Sequence, residues 1–163
     1  MFRKMRRFKQ RLSNDEALEI SKNSKSGVLA VSGDDGYHYT VPLNFVYKNG
    51  KIYFHCANSG HKLDAIKQNN KVSFCVIEKD DVDSEKLTTL FRSVVVFGKA
   101  EIMENEEKIN SAMLSFGLKY NNDINAVKKE IERERSGLCC VEITIEHITG
   151  KQAIELVKRK TIL

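Results

Sequence analysis

Residues 37–57 leave this chain little freedom. Tyr37, Tyr39, Val41, Leu43, Phe45 and Tyr47 alternate with His38, Thr40, Pro42, Asn44 and Val46, the period of an extended strand with one apolar side. Asn49-Gly50 follows, the dipeptide that best tolerates the positive φ angles of a two-residue hairpin turn, and a second β-like run, Ile52 to Ala57, comes back. With Asn49-Gly50 at the turn, Tyr47 faces Ile52, Phe45 faces Phe54, Asn44 faces His55 and Pro42 faces Ala57. Tyr47, Phe45, Ile52, Phe54 and Cys56 then share a core face. The other face carries Pro42, Asn44, Val46, Tyr53, His55 and Ala57, a flat apolar platform suited to a planar ring.

The returning strand runs into Asn58-Ser59-Gly60-His61-Lys62 before a short helical pattern over 63–68. The unpaired N–H groups of a first helical turn, beside hydroxyl, imidazole and ammonium groups, suit an anion. One hairpin and one helix start are therefore expected to hold a flat ring and a phosphate together.

The rest of the chain fits around this ribbon. Ser13 and Glu16 form a capping box for a helix over 14–23. Glycine-bounded residues 27–31 read as a buried strand, and 33–36 as the turn into the long alternating strand. Residues 72–77 form a fourth strand, 78–85 an acidic loop, and 91–103 a central strand with a bulge or bend at Gly98. Helices are predicted over 106–120 and 124–135, and a last strand over 141–145, with 147–151 leading into a tail. Short connections favour antiparallel pairing. The expected fold is mainly β (α+β): a six-stranded antiparallel split barrel with flanking helices.

The chain has 163 residues, one domain by size, with 41% hydrophobic and 30% charged residues. No apolar run reaches membrane-span length and no signal segment is evident, so a cytoplasmic protein without a membrane partner is expected. Cys56, Cys75, Cys139 and Cys140 form no CxxC, and neither a zinc site nor a disulfide framework is anticipated. Net charge is +5, and Arg3, Lys4, Arg6, Arg7, Lys9 and Arg11 carry more than that whole excess. The body is near neutral. Residues 1–12 read as a basic flexible arm, 13–151 as the domain and 152–163 as a basic tail. A solvated arm is preferred over a nucleic-acid arm.

The stretch VPLNFVYKNGKIYFHCANSGHKLDAI, with FRSVVVFGKAEI and EITIEHITGK after it, resembles the nitroimidazole-resistance group of the pyridoxamine 5′-phosphate oxidase-like split-barrel flavoproteins. The resemblance implies that Thr40, Val41, Pro42, Leu43 and Asn44 line an FMN ring from one strand, and His55, Cys56 and Ala57 from the next. It implies His61 and Lys62 at the flavin phosphate, Arg92 and Ser93 at the phosphate or ring edge, and His55 beside the reactive part of the cofactor. On pattern alone His55 also reads as an ordinary strand histidine paired to Asn44, and Arg92 as a surface arginine. Relatives often carry arginine at the place of His61, and the C-terminal arginines of true pyridoxamine phosphate oxidases are missing.

The implied function is an FMN-dependent reductase. NADH or NADPH would dock transiently as donor, a small organic molecule such as a nitroaromatic would be the acceptor, and the unit would be a homodimer. The alternatives are a non-catalytic flavin or haem carrier and an oxidase of the pyridoxamine phosphate type.

Overall fold

The computed structural model of the chain describes residues 1–160, with side chains through 157. In chain order the elements are α1 (Asn14–Asn23), β1 (Ser26–Ser32), β2 (His38–Asn44), β3 (Val46–Lys48), β4 (Lys51–Ala57), α2 (His61–Gln68), β5 (Lys71–Asp83), β6 (Thr88–Ile102), α3 (Glu106–Tyr120), α4 (Ile124–Glu134), β7 (Leu138–Gln152) and α5 (Ile154–Lys160). The strands form one antiparallel sheet in the order β2-β1-β5-β6-β7-β4-β3. β2 and β3 stand at its two ends, yet only Phe45 separates them in the chain. The sheet therefore rolls up until its ends meet at one residue, a split barrel closed there by covalent chain instead of a ladder. Phe45, Phe54, Phe74, Ile52, Val94, Val96, Val141 and Ile143 fill the interior, each 2% exposed or less.

The split changes the predicted hairpin. Tyr47 does face Ile52, with Val46 opposite Tyr53 and Lys48 opposite Lys51. The expected pairs Phe45–Phe54, Asn44–His55 and Pro42–Ala57 do not form. β2 leaves to pair with β1, Val41 against Leu29, and β4 pairs along its other edge with β7, His55 against Cys140. One predicted strand is thus two, and the sheet has seven strands in place of six. The Phe45 carbonyl, released from the ladder at the corner, accepts from the Lys119 ammonium at 2.9 Å and the Tyr120 hydroxyl at 3.3 Å. Those donors lie 74 and 75 residues away, and local alternation carries no trace of them. Pro42 sits in an edge strand, the position proline tolerates.

Local chemistry placed most other elements. The capping box is complete: the Ser13 hydroxyl accepts from Glu16 N at 3.2 Å and Glu16 Oε2 from Ser13 N at 2.8 Å. α3 has the predicted limits. β5 and β7 are longer than expected. The acidic residues 78–83 form the outer half of a β5–β6 hairpin, where Lys79 pairs with Asp81 at 2.5 Å and Arg92 with Glu78 at 2.9 Å. These two cations, Arg92 from across the hairpin and Lys79 from β5 itself, and the Leu90 and Phe91 partners offset charges that read as a loop. Residues 147–151, read as the lead into a tail, continue β7 along β6.

The β6–β7 register slips between Phe97 and Gly98, the predicted bulge. A side chain at Gly98 would collide with the Thr144 carbonyl oxygen and lie 2.9 Å from Ile143 Cγ2. Gly98→Ala is accordingly expected to lower stability by about 1–3 kcal/mol, read as a lower urea midpoint with unchanged slope.

In the N-terminal segment, Leu12 is buried and its N–H donates to the Gly150 carbonyl at 2.9 Å. Phe2 stacks on His147 with centroids 4.6 Å apart. Among the described residues no helix is long and apolar enough to cross a membrane.

Candidate functional site

The two segments singled out in the sequence are the two lips of the split. Among the described residues β2 is hydrogen-bonded only to β1, so its other edge is free there from His38 to Asn44. β4 loses its β3 partner after Tyr53, which frees the same side of His55, Cys56 and Ala57. Along β2, Val41 and Leu43 pack on the core while Thr40, Pro42 and Asn44 are exposed. Both lips present unpaired backbone N–H and C=O groups, which demand a partner or water.

At one end of the split lies the start of α2. Gly60 has φ 132° and provides no side-chain cap, and among the described residues the N–H groups of His61 and Lys62 have no acceptor. The space beside Gly60 is open. The His61 ring stacks on Tyr39 of the opposite lip with centroids 4.3 Å apart, and its Nε2 lies 3.5 Å from an Asp34 carboxylate oxygen. Lys62 is half-buried, and its charge is felt by the Cys56 thiol. Free helix-start donors next to a lysine form an anion site.

At the other end α3 lies across the barrel. Asn44 does not meet His55: its Nδ2 donates to the Lys25 carbonyl at 3.1 Å, which the Tyr120 hydroxyl also reaches at 2.6 Å. The His55 ring stands edge-on to Phe116, 4.6 Å between centroids, and Phe116 is 5.3 Å from Tyr120. The expected open platform is therefore only partly open. Val46 is buried and His55 half-covered, while Pro42, Asn44 and Ala57 remain exposed. An apolar ribbon face is better covered than left to water, and the apolar side of α3 covers it.

Beside His55, between α3 and α4, is a cleft of about 720 Å³ lined by Met113, Phe116, Tyr120, Val127 and Leu138, with Glu130 and Arg133 among its polar groups. Its mainly apolar walls with a few convergent polar groups are those of a small-molecule site. Phe116 and Tyr120 follow helical spacing in the sequence and read as core. Nothing local links them to His55, and α4 carried no site signal.

Burial holds the His55 imidazole below the ordinary histidine pKa, so it is neutral at neutral pH. As pH falls, the unfolded chain takes up this proton before the folded one does. His55 therefore contributes a loss of stability between the ordinary value and its lowered one. Between about pH 7 and about pH 5 the urea midpoint of His55→Phe should fall less than that of the parent. An equal fall would mean that the imidazole titrates freely.

Arg92 and Ser93 lie elsewhere. Arg92 is opposite Gln152 and Ser93 opposite Lys151, toward the far end of β6, and the guanidinium is taken by Glu78 and, at 3.9 Å, by Glu16. Roughly 30 Å of strand separates them from Ile102 at the other end of β6. A single chain thus joins Thr40–Asn44, His55–Ala57, His61 and Lys62 around the split, and leaves Arg92 and Ser93 outside.

A rolled antiparallel sheet with this split has known counterparts. The family model described as pyridoxamine 5′-phosphate oxidase matches residues 13–152. The chain belongs to that family. Among solved structures, a candidate 5-nitroimidazole antibiotic resistance protein of Bacteroides thetaiotaomicron VPI-5482 superposes with a TM-score of 0.71 at 21% identity, covering 86% of this chain and 85% of that one. A conserved hypothetical protein of Mycobacterium tuberculosis gives 0.81 at 21% identity over 94% and 92%. An FAD-binding protein of Mesorhizobium loti gives 0.64 at 23% identity over 88% and 97%. At these identities the structures establish the shared fold. No curated protein sequence matches the chain.

Proposed function

We propose that this pyridoxamine 5′-phosphate oxidase family member is a cytoplasmic flavoprotein reductase that binds FMN along the split. The observation that carries the reading is the arrangement of the lips: free backbone edges on both sides, an uncapped helix start with Lys62 at one end, and His55 beside a cleft at the other. Thr40 to Asn44 and His55 to Ala57 would hold the ring by backbone contacts. His61, Lys62 and the free N–H groups of α2 would hold the phosphate. The shared fold with an FAD-binding protein supports a flavin.

When bound, the flavin supplies the electron transfer between NADH or NADPH and a small acceptor such as a nitroaromatic. The protein's part is binding and orientation. A neutral His55 can donate one hydrogen bond to an acceptor seated in the cleft without adding charge, and Phe116 and Tyr120 shield it from water. Arg92 and Ser93 stand apart in one chain, which favours a homodimer in which a second copy supplies them. Protein loaded with FMN and mixed anaerobically with NADH or NADPH should lose its flavin absorbance and regain it on addition of a nitroimidazole. Flavin that stays oxidised with both donors contradicts the reductase reading.

A further inference from the structure

Outside the nitrogen and oxygen groups of the split, two thiols face each other. β4 and β7 are antiparallel, and their register sets Cys56 directly opposite Cys139. Directly opposed residues in such a pair have Cα atoms about 4.5–5.5 Å apart, within the span of about 4.4–6.8 Å that a disulfide bridges. The two thiols lie close enough to act on each other electrostatically, while Cys139 Sγ donates to the Cys140 carbonyl at 3.9 Å. All four cysteines are free, but Cys56 and Cys139 differ from the others in place. Cys140 points to the opposite face, where Ile109 and Met113 bury it. Cys75 lies on β5, three strands from β4.

The pair is also reachable. Cys139 lines an opening of about 280 Å³ with Asn58, Leu63, Lys67, Arg135 and Leu138, and both thiols are only half-buried. Lys62 acts on Cys56, and Lys67 and Arg135 act on Cys139, while Glu104 and Glu106 line the same opening and Glu106 holds the Arg135 guanidinium at 2.7 Å. These cations work against the burial that raises both thiol pKa values. We propose that Cys56 and Cys139 form a redox-responsive dithiol that closes into an intramolecular disulfide on meeting a low-molecular-weight disulfide such as oxidised glutathione.

The exchange runs in two displacements. The Cys139 thiolate attacks one glutathione sulfur; the glutathione S–S bond breaks, one glutathione leaves as thiolate, and a mixed disulfide remains on Cys139. The Cys56 thiolate then attacks the Cys139 sulfur and expels the second glutathione. Two protein thiols lose two electrons to the reagent disulfide, and their two protons end on the two glutathione molecules released. Burial raises both thiol pKa values, so the reaction is slow at neutral pH and quickens as pH rises. Cys139 is the attacking sulfur because it lines the opening and has Lys67 and Arg135 beside it.

The test uses the full chain, reduced and then incubated with oxidised glutathione at mildly alkaline pH, denatured in acid and digested without reductant. Free thiols should fall from four to two, with one linked peptide pair joining Cys56 to Cys139. Cys140→Ser should form the same link. Cys56→Ser should stop at a glutathione adduct on Cys139. Four free thiols after incubation, a link involving Cys75 or Cys140, or a link only between two chains would each overturn the proposal. In the unsubstituted chain, fragmentation of the linked peptide between Cys139 and Cys140 decides the matter even if a variant fails to fold.

Discussion

Replacing Phe45 by alanine should remove about 3–5 kcal/mol of stability, the range for deleting a fully buried phenylalanine side chain. Its ring is wholly inaccessible and packs edge-on against Phe74, centroids 4.9 Å apart. The Lys119 ammonium lies 4.4 Å from the ring centroid, a cation–π contact made while it donates to the Phe45 carbonyl. The loss therefore combines a core cavity with slackening of the corner that joins β2 to β3. Burial has pulled the Lys119 pKa down to about 8, so it tolerates poorly any further loss of partners. Urea unfolding measures the effect, with Phe97→Ala as comparison, since Phe97 is 38% exposed. A loss below about 1 kcal/mol for Phe45→Ala would mean that the corner is not a packed joint.

The second large effect concerns ligand binding. Lys62→Ala should weaken FMN binding by roughly 10- to 100-fold, the equivalent of a charge-assisted hydrogen bond of about 1.5–3 kcal/mol. The same change should leave riboflavin affinity almost untouched, because riboflavin has no phosphate. The comparison separates an anion site at the start of α2 from a general loosening of the split. Equal weakening for both ligands would place the damage in the ring site or the fold, and no weakening would remove Lys62 from the phosphate.

What could be read from sequence alone follows the range of the interactions. Ser13 with Glu16, Asn49-Gly50 and the helical spacing of Ile109, Ala112 and Met113 act over a few residues, and α1, the β3–β4 turn and α3 came out where predicted. The bulge at Gly98 was legible because glycine in an apolar strand has few other uses. The break at Phe45 was not, because its partners come from the far end of α3. The same holds for the candidate site. Thr40 to Asn44, His55 to Ala57, His61 and Lys62 lie within one stretch of chain and emerge around one split. The resemblance also named Arg92 and Ser93, which a single chain does not bring there. The wall of Phe116, Tyr120 and Val127 beside His55 depends on how two helices dock, and spacing within each helix shows only which of its faces is apolar.

Whether FMN binds along the split is decided by titrating it into the purified, reduced chain and following the quenching of flavin fluorescence. Binding should saturate at one FMN per chain, with riboflavin weaker than FMN by the contribution of the phosphate. A colourless protein that leaves FMN fluorescence unchanged at saturating concentrations would contradict it.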